Sequence, residues 1–339
     1  MRKNFPSWMA VGLLLATVGL FMGCLHWASR SPGREYRFIT AWGHPGTGPG
    51  EFNDPTGIAA NSTEVFVSDS RNSRIQVFDH AGRFKRQFDI PTDETGRRGR
   101  PMNLDLHQGN LYVADYWSDR IHVFTLDGRL VRSIGRKGQG PGEFDSPGGV
   151  AVASNGELFV ADFYNQRIQR LSPEGAFLGQ WGVTRKTGVG AGLFNYPTDV
   201  AVAPDGTLFV ADGYNDRIQA FSSTGQFIIK WGGPFALNIS GPFKGWFATV
   251  TSVALNASGH VFASDFYNDR VQWFDRSGNY LGSLGEKGSG PGQLFHPMGV
   301  AVSPNGAVFI TDFGNQRVQK WQEVGGQKAP DSNSQKFSG

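Results

Sequence analysis

From residue 36 onward the chain alternates apolar and polar positions over short runs, and most runs are bounded by glycine-bearing turns. Leu208-Phe-Val-Ala-Asp212 is one run and Arg217-Ile-Gln-Ala-Phe221 the next. Runs of this length and period predict β-strands. The flanking stretches complete a unit of four. Pro197-Thr-Asp-Val-Ala-Val202 reads as the innermost strand and Phe227-Ile-Ile-Lys-Trp231 as the outer one. Between strands fall Asn155-Gly, Asp205-Gly and Asn305-Gly, and also Asp127-Gly, Glu174-Gly and Ser277-Gly. Glycine after Asn or Asp supplies the positive φ that a tight hairpin needs.

The unit is written six times. Its copies start at Asp69, Asp115, Asp162, Asp212, Asp265 and Asp312, and five residues later come Arg74, Arg120, Arg167, Arg217, Arg270 and Arg317. Asn72, Asn165, Asn215, Asn268 and Asn315 fill the middle, with Ser118 the exception. The steps between the aspartates are 46, 47, 50, 53 and 47 residues. That period, with several short strands in each, is the signature of a propeller or array. Each Asp and Arg flank the turn between the second and third strands and are placed to pair across it. Six acids on one rim suggest a cation ring, but each brings its own guanidinium, which favours closed ion pairs.

No outer strand follows Trp321, and Tyr36-Arg-Phe-Ile-Thr-Ala-Trp42 precedes the first inner strand without a unit of its own. Pairing the two covers both free edges and closes a circle. Residues 36–322 are therefore expected to form one ring, followed by a polar, mobile tail over 323–339. With its Asp-Arg motif and outer strands ending in Trp-Gly, the chain resembles NHL-repeat proteins, and six copies resemble the six-bladed NHL β-propeller. The resemblance implies an all-β disc with four antiparallel strands per blade and a central channel. Relatives use it for binding and occasionally for catalysis; a fold does not decide between them.

Composition narrows the choice. The net charge is +3, with Arg2 and Lys3 in the extreme N-terminal segment, so the rest carries +1. A body so balanced has no general attraction for nucleic acid. The single cysteine, Cys24, excludes a disulfide framework and multi-cysteine zinc modules. Residues 1–25 read as a targeting segment: a basic head, then an uncharged run from Trp8 to Leu25. As a helix that run would span about 27 Å, close to a bilayer core. Leu20-Phe-Met-Gly-Cys24 resembles the lipobox of bacterial lipoproteins, which makes Cys24 a candidate lipidation site. An uncleaved signal anchor is the other reading. Both place the body outside the cytoplasm, tethered to a membrane, with 26–35 as linker.

Candidate chemistry falls on one rim. Gly46-Thr-Gly-Pro-Gly-Glu-Phe52, Gly138-Gln-Gly-Pro-Gly-Glu-Phe144, Gly188-Val-Gly-Ala-Gly-Leu-Phe194 and Gly288-Ser-Gly-Pro-Gly-Gln-Leu294 lead into inner strands. Phosphate loops open onto helices, so these are expected to be crossovers plugged by Phe52, Phe144 and Phe194. The outer-to-inner connections as a class carry Arg97, Arg98, Arg100, Arg136, Lys137, Arg185, Lys186, Lys244 and Lys287. They form a basic rim suited to a protein or a small anionic ligand. Trp246 and Phe247, in the longest connection, are expected at the channel mouth. The blades also resemble peptidyl-α-hydroxyglycine α-amidating lyase, which implies zinc histidines just after each inner-strand proline. Here those positions are Thr56, Met102, Gly148, Thr198, Thr251 and Met298, so that mechanism does not carry over. Similarity to gluconolactonase-like propellers implies instead a divalent cation, calcium for instance, on channel oxygens. Asn103, Asp105 and Asp199 are the candidates. The reading is a monomeric binding scaffold, with a metal-dependent hydrolase or lyase as the alternative.

Overall fold

The computed structural model describes residues 35–324. Cys24, the targeting segment 1–25, most of the linker 26–35 and most of the tail 323–339 lie outside the described residues. Within them stand six sheets of four antiparallel strands. The fourth blade has its strands at Pro197–Val202, Leu208–Asp212, Arg217–Phe221 and Phe227–Trp231, as the alternation predicts. Blades are numbered here in chain order, the first running over residues 55–89.

The sixth blade closes the ring. Strand β1, Glu35–Trp42, pairs antiparallel with the last strand, Arg317–Val324, setting Phe38 opposite Trp321. A register shift between Phe38 and Thr40 bends β1 around the blade edge. That last strand extends to Val324, two residues beyond the expected boundary. Tyr36 reaches the fifth blade, where its ring meets Phe262 at 5.6 Å and Trp273 at 5.2 Å.

The hydrophobic core lies between blades rather than within one. One cluster joins Ile58, Val65 and Val67 of the first blade to Ala307, Phe309 and Val318 of the sixth. Outer strands also lock onto the next blade. A Cβ on Gly225, in the hairpin of blade four, would stand 2.9 Å from Nε1 of Trp181 in blade three. Gly225 has φ of +92°, so its turn needs glycine on both counts.

The inner strands line the channel and start on the rim that carries the Asp-Arg turns. Their first residues touch across each seam: Thr198 Oγ1 donates to the Val250 carbonyl at 2.8 Å, and Thr251 Oγ1 to that of Met298 at 2.8 Å. No helix among the described residues is long and apolar enough to cross a membrane.

Candidate functional site

The Asp-Arg pairs hold the rim together. Arg217 Nε donates to Asp212 at 2.7 Å, and its Nη2 donates to the carbonyls of Gly190 and Leu193 at 3.0 and 2.8 Å. Arg74, Arg167, Arg270 and Arg317 bond Asp69, Asp162, Asp265 and Asp312 in the same way. The glycine-rich loops therefore turn their carbonyls inward to a guanidinium. Their N–H groups are spent as well: Gly48 donates to Glu51 and Gly50 to Gln76, both at 2.8 Å. Phe52, Phe144 and Phe194 are fully buried as the plugs expected of a crossover.

The second blade departs from the pattern. Arg120 pairs with Glu94 at 3.3 Å and not with Asp115, which correlates with what precedes the blade. Residues 91–100 contain no glycine-rich crossover, so no ring of carbonyls waits for the guanidinium. Asp115 is served instead by Ser118 Oγ and by His122 Nε2 at 3.2 Å, while Ser133 Oγ lies 2.7 Å from His122 Nδ1. Burial works against the charge of Asp115. Hydrogen bonds from His122, Ser118 and the Arg100 N–H outweigh it and hold the carboxyl below its ordinary value. An ionised carboxylate only accepts, so Nε2 carries a proton toward Asp115.

A second rim device escaped the sequence reading. The residue between each Asn (or Ser118) and Arg is left-handed, and in five copies its side chain clasps the next blade. Asp119, Gln166, Asp216, Asp269 and Gln316 accept the N–H of Ser146, Tyr196, Thr249, His296 and Asp54 at 2.6–2.8 Å. The residues they hold are left-handed too, including β-branched Thr249 with φ of +62°. Such a conformation persists only where its surroundings impose it.

Inside this ring of clasps lies a cup at the channel mouth, about 260 Å³ in volume. Its wall is Tyr116, Phe163, Tyr214, Phe266 and Tyr267, all from the turns that follow the repeated aspartates. Phe163 stands 6.1 Å from Tyr116 and 6.3 Å from Tyr214, and Tyr196 packs between at 4.9 and 5.0 Å. Its base holds Met102, Gly148, Thr198, Thr251 and Met298, five of the positions that would bear zinc histidines in the amidating lyase. Asn103 forms the floor. Its amide donates to the Thr251 carbonyl at 3.3 Å, from blade two to blade five on the far side of the ring.

Beneath that floor is a more polar cavity of about 220 Å³, lined in part by Asn103, Asp105, Asp199 and Ser252. The structure thus brings the three candidate metal residues to one channel. The two aspartates, however, already accept hydrogen bonds across blade seams. Asp105 takes the N–H of Val152 at 2.7 Å, and Asp199 takes Ser252 Oγ at 2.8 Å and the N–H of Val253 at 3.0 Å. Burial pushes Asp105 up to about 6 and Asp199 up to about 7. Among the described residues no group of three or more His, Cys, Asp or Glu is arranged to hold a metal.

The basic rim is largely neutralised. Arg136 pairs with Glu143 at 2.9 Å, Arg97 with Asp93 at 3.4 Å and Arg185 with Asp145 at 3.7 Å. Arg100, Lys137 and Lys287 each have an aspartate at 3.8 Å. Lys244 lies over the Tyr280 ring, while Arg98 and Lys186 have no ion pair among the described residues. Trp246 and Phe247 do not line the cup, contrary to expectation. They occupy the register of Glu51 and Phe52: the Trp246 carbonyl accepts from Arg270 at 2.9 Å, and Phe247 is a buried plug.

Comparison with known proteins agrees with the architecture. A family model described as NHL repeat matches residues 52–78, 194–221 and 296–321, and one described as a 6-bladed beta-propeller matches 89–180. Protein brain tumor of Drosophila melanogaster is 28% identical over 152 residues, 42% of this chain and 14% of that protein. A probable peptidyl-alpha-hydroxyglycine alpha-amidating lyase, pgal-1 of Caenorhabditis elegans, is 30% identical over 135 residues, 38% of this chain and 34% of its own length. The chain thus spans about a third or less of these relatives. A streptogramin B lyase structure superposes with a TM-score of 0.59 at 15% identity, over 87% of this chain and 100% of that one, which is a likeness of fold.

Proposed function

Since the chain carries NHL repeats on a six-bladed β-propeller, we propose that it is a binding module whose recognition face is the rim of the Asp-Arg turns, centred on the aromatic cup. The observation that carries this reading is the cup wall. Five aromatic side chains at one channel mouth are not required by the repeat, which in the first blade has Ser70 and Arg71 at the same turn. A rigid scaffold that varies its loops is the usual platform for recognition. The rim cations, mostly paired, would act on encounter rate more than on affinity.

The partner is a protein or a small ligand, and the module is held at an extracytoplasmic membrane surface through residues 1–25. The uncharged run and the lipobox-like Leu20–Cys24 support the tether. Crosslinking the intact protein in membranes tests the face: replacing Phe163 and Tyr214 by leucine should lose the crosslinked partner. Unchanged crosslinking would refute the cup as recognition site. Cys24→Ser should abolish acyl incorporation if the anchor is lipid, whereas a wild-type precursor that is never cleaved points to a signal anchor.

The metal-dependent hydrolase or lyase reading keeps one supporting observation, the convergence of Asn103, Asp105 and Asp199 on one cavity. Stoichiometric calcium retained through dialysis, and lost in Asp105→Asn, would favour it.

A further inference from the structure

The cup has a chemical character that narrows its ligand. None of its lining residues is ionisable in the physiological range, and its wall is built of aromatic rings. Aromatic faces carry negative quadrupole potential and attract organic cations. At about 260 Å³ the cup falls just below the ~300 Å³ at which sites for drug-sized molecules begin, so it suits one compact group.

The charges around the cup point the same way. Asp216 lies two residues beyond Tyr214, at the edge of the cup; its Oδ1 accepts the N–H of the lining residue Thr249 at 2.7 Å and its Oδ2 the Asn238 amide at 3.1 Å, both neutral donors that leave its charge uncompensated. Among the described residues no cation pairs with Asp216, although the equivalent Asp119 and Asp269 have Lys137 and Lys287 at 3.8 Å. Below the floor, Asp105 and Asp199 face a cavity whose lining contains no Lys, Arg or His. Asn103 is nine-tenths buried, and its Oδ1 accepts no hydrogen bond among the described residues. The opposite lip is the positive side: Arg71 and Arg100 share Asp54 there. A cation in the cup would therefore lie toward blades four and five, beside Tyr214, Tyr267 and Asp216.

Resting on the reading of the cup as the recognition site, we propose that it takes an alkylated ammonium group, its methyl groups against the aromatic wall and its charge facing Asp216 and the Asn103 carbonyl oxygen. A free quaternary amine and a methylated lysine of a polypeptide present the same group.

Calorimetric titration of the intact protein with choline and with 3,3-dimethyl-1-butanol, the neutral carbon isostere, tests this. Choline should bind about tenfold more tightly or better, as expected of a cation over desolvated rings. Tyr214→Leu should weaken choline several-fold. Asp216→Asn, which retains an acceptor for the Thr249 N–H, should weaken choline while leaving the isostere unchanged. A trimethyllysyl peptide that binds more tightly than choline would assign the source to a polypeptide, and one that binds less tightly would assign it to a free amine. Equal affinity for choline and the isostere overturns the cationic assignment but leaves the cup as a site. Failure of all three probes, with crosslinking still lost in the Phe163 and Tyr214 variant, also overturns the assignment alone. Failure of the probes with crosslinking intact overturns both readings.

Discussion

Asn103 donates its side-chain amide across the channel to the backbone carbonyl of Thr251, tying together blades that stand opposite each other. The bond is long at 3.3 Å, so its value lies in partition more than in strength. It separates an aromatic cup from a carboxylate-bearing cavity. Asn103→Ala should cost about 1 kcal/mol of stability or less and merge the two cavities, visible as continuous ordered solvent in a crystal structure. A persistent partition would show that other side chains form the floor.

The arginines of the repeat are predicted to differ sharply. Arg217 is fully buried with Asp212, and removing one partner of such a pair costs about 3–5 kcal/mol. Arg217→Ala should therefore unfold the ring at much lower denaturant. Arg120 has left its aspartate for Glu94, whose side chain is 89% exposed, so Arg120→Ala should cost under ~1 kcal/mol. Equal losses in chemical denaturation would contradict this account of the second blade.

Asp199 gives the ring a pH signature. Burial raises its folded value from 3.8 to about 7, and the charge of Asp105 adds to the effect. The native ring thus keeps a proton that the unfolded chain has released between those limits. The contribution is fully favourable below the ordinary carboxylate value and is lost as pH rises toward 7. Asp199→Asn cannot ionise, so its melting temperature relative to wild type should rise between pH 5 and pH 8. A constant difference would mean that Asp199 does not titrate in that window.

Strand β1 is predicted to be indispensable. Removing residues 1–43 exposes the edge of the last strand and deletes Tyr36 from its aromatic contacts in blade five. Aggregation is the expected result, whereas removal of 1–34 should leave a soluble monomer. Size-exclusion chromatography distinguishes them, and a folded monomer from the longer deletion would dismiss the closure argument.

The ring itself was legible because Asp, Asn, Arg and the hairpin glycines recur at nearly fixed steps, and every copy answers the same backbone geometry. The strand Leu208–Asp212 could be placed to the residue. The cup was hidden by that same regularity. Tyr116, Phe163, Tyr214, Phe266 and Tyr267 fall at the turn positions that the motif leaves free, where aromatic residues look like loop filler. Only the ring geometry gathers these five rings, from four turns, around one axis. Five of six turns carrying an aromatic residue was the available signal. The clasps escaped for a similar reason: Asp119 and Gln166 share a role but not a residue type. For Arg120, Ser118 marked the irregular copy, yet the cause lay in the missing crossover ahead of the blade. The ion pairs of the basic rim were not legible either, since clustered cations in sequence gave no hint of their pairing with Asp93, Glu143 and Asp145.

The pairing of β1 with the last strand also has a mechanical consequence. Glu35 sits opposite Val324, so both ends of the described chain leave the disc at one point, on the rim away from the cup. Tension applied at Glu35 would load the pair from that end and peel its hydrogen bonds one after another, as a zipper opens. The ring would yield first at its sixth blade, while the seams around the aromatic cup carried little of the force.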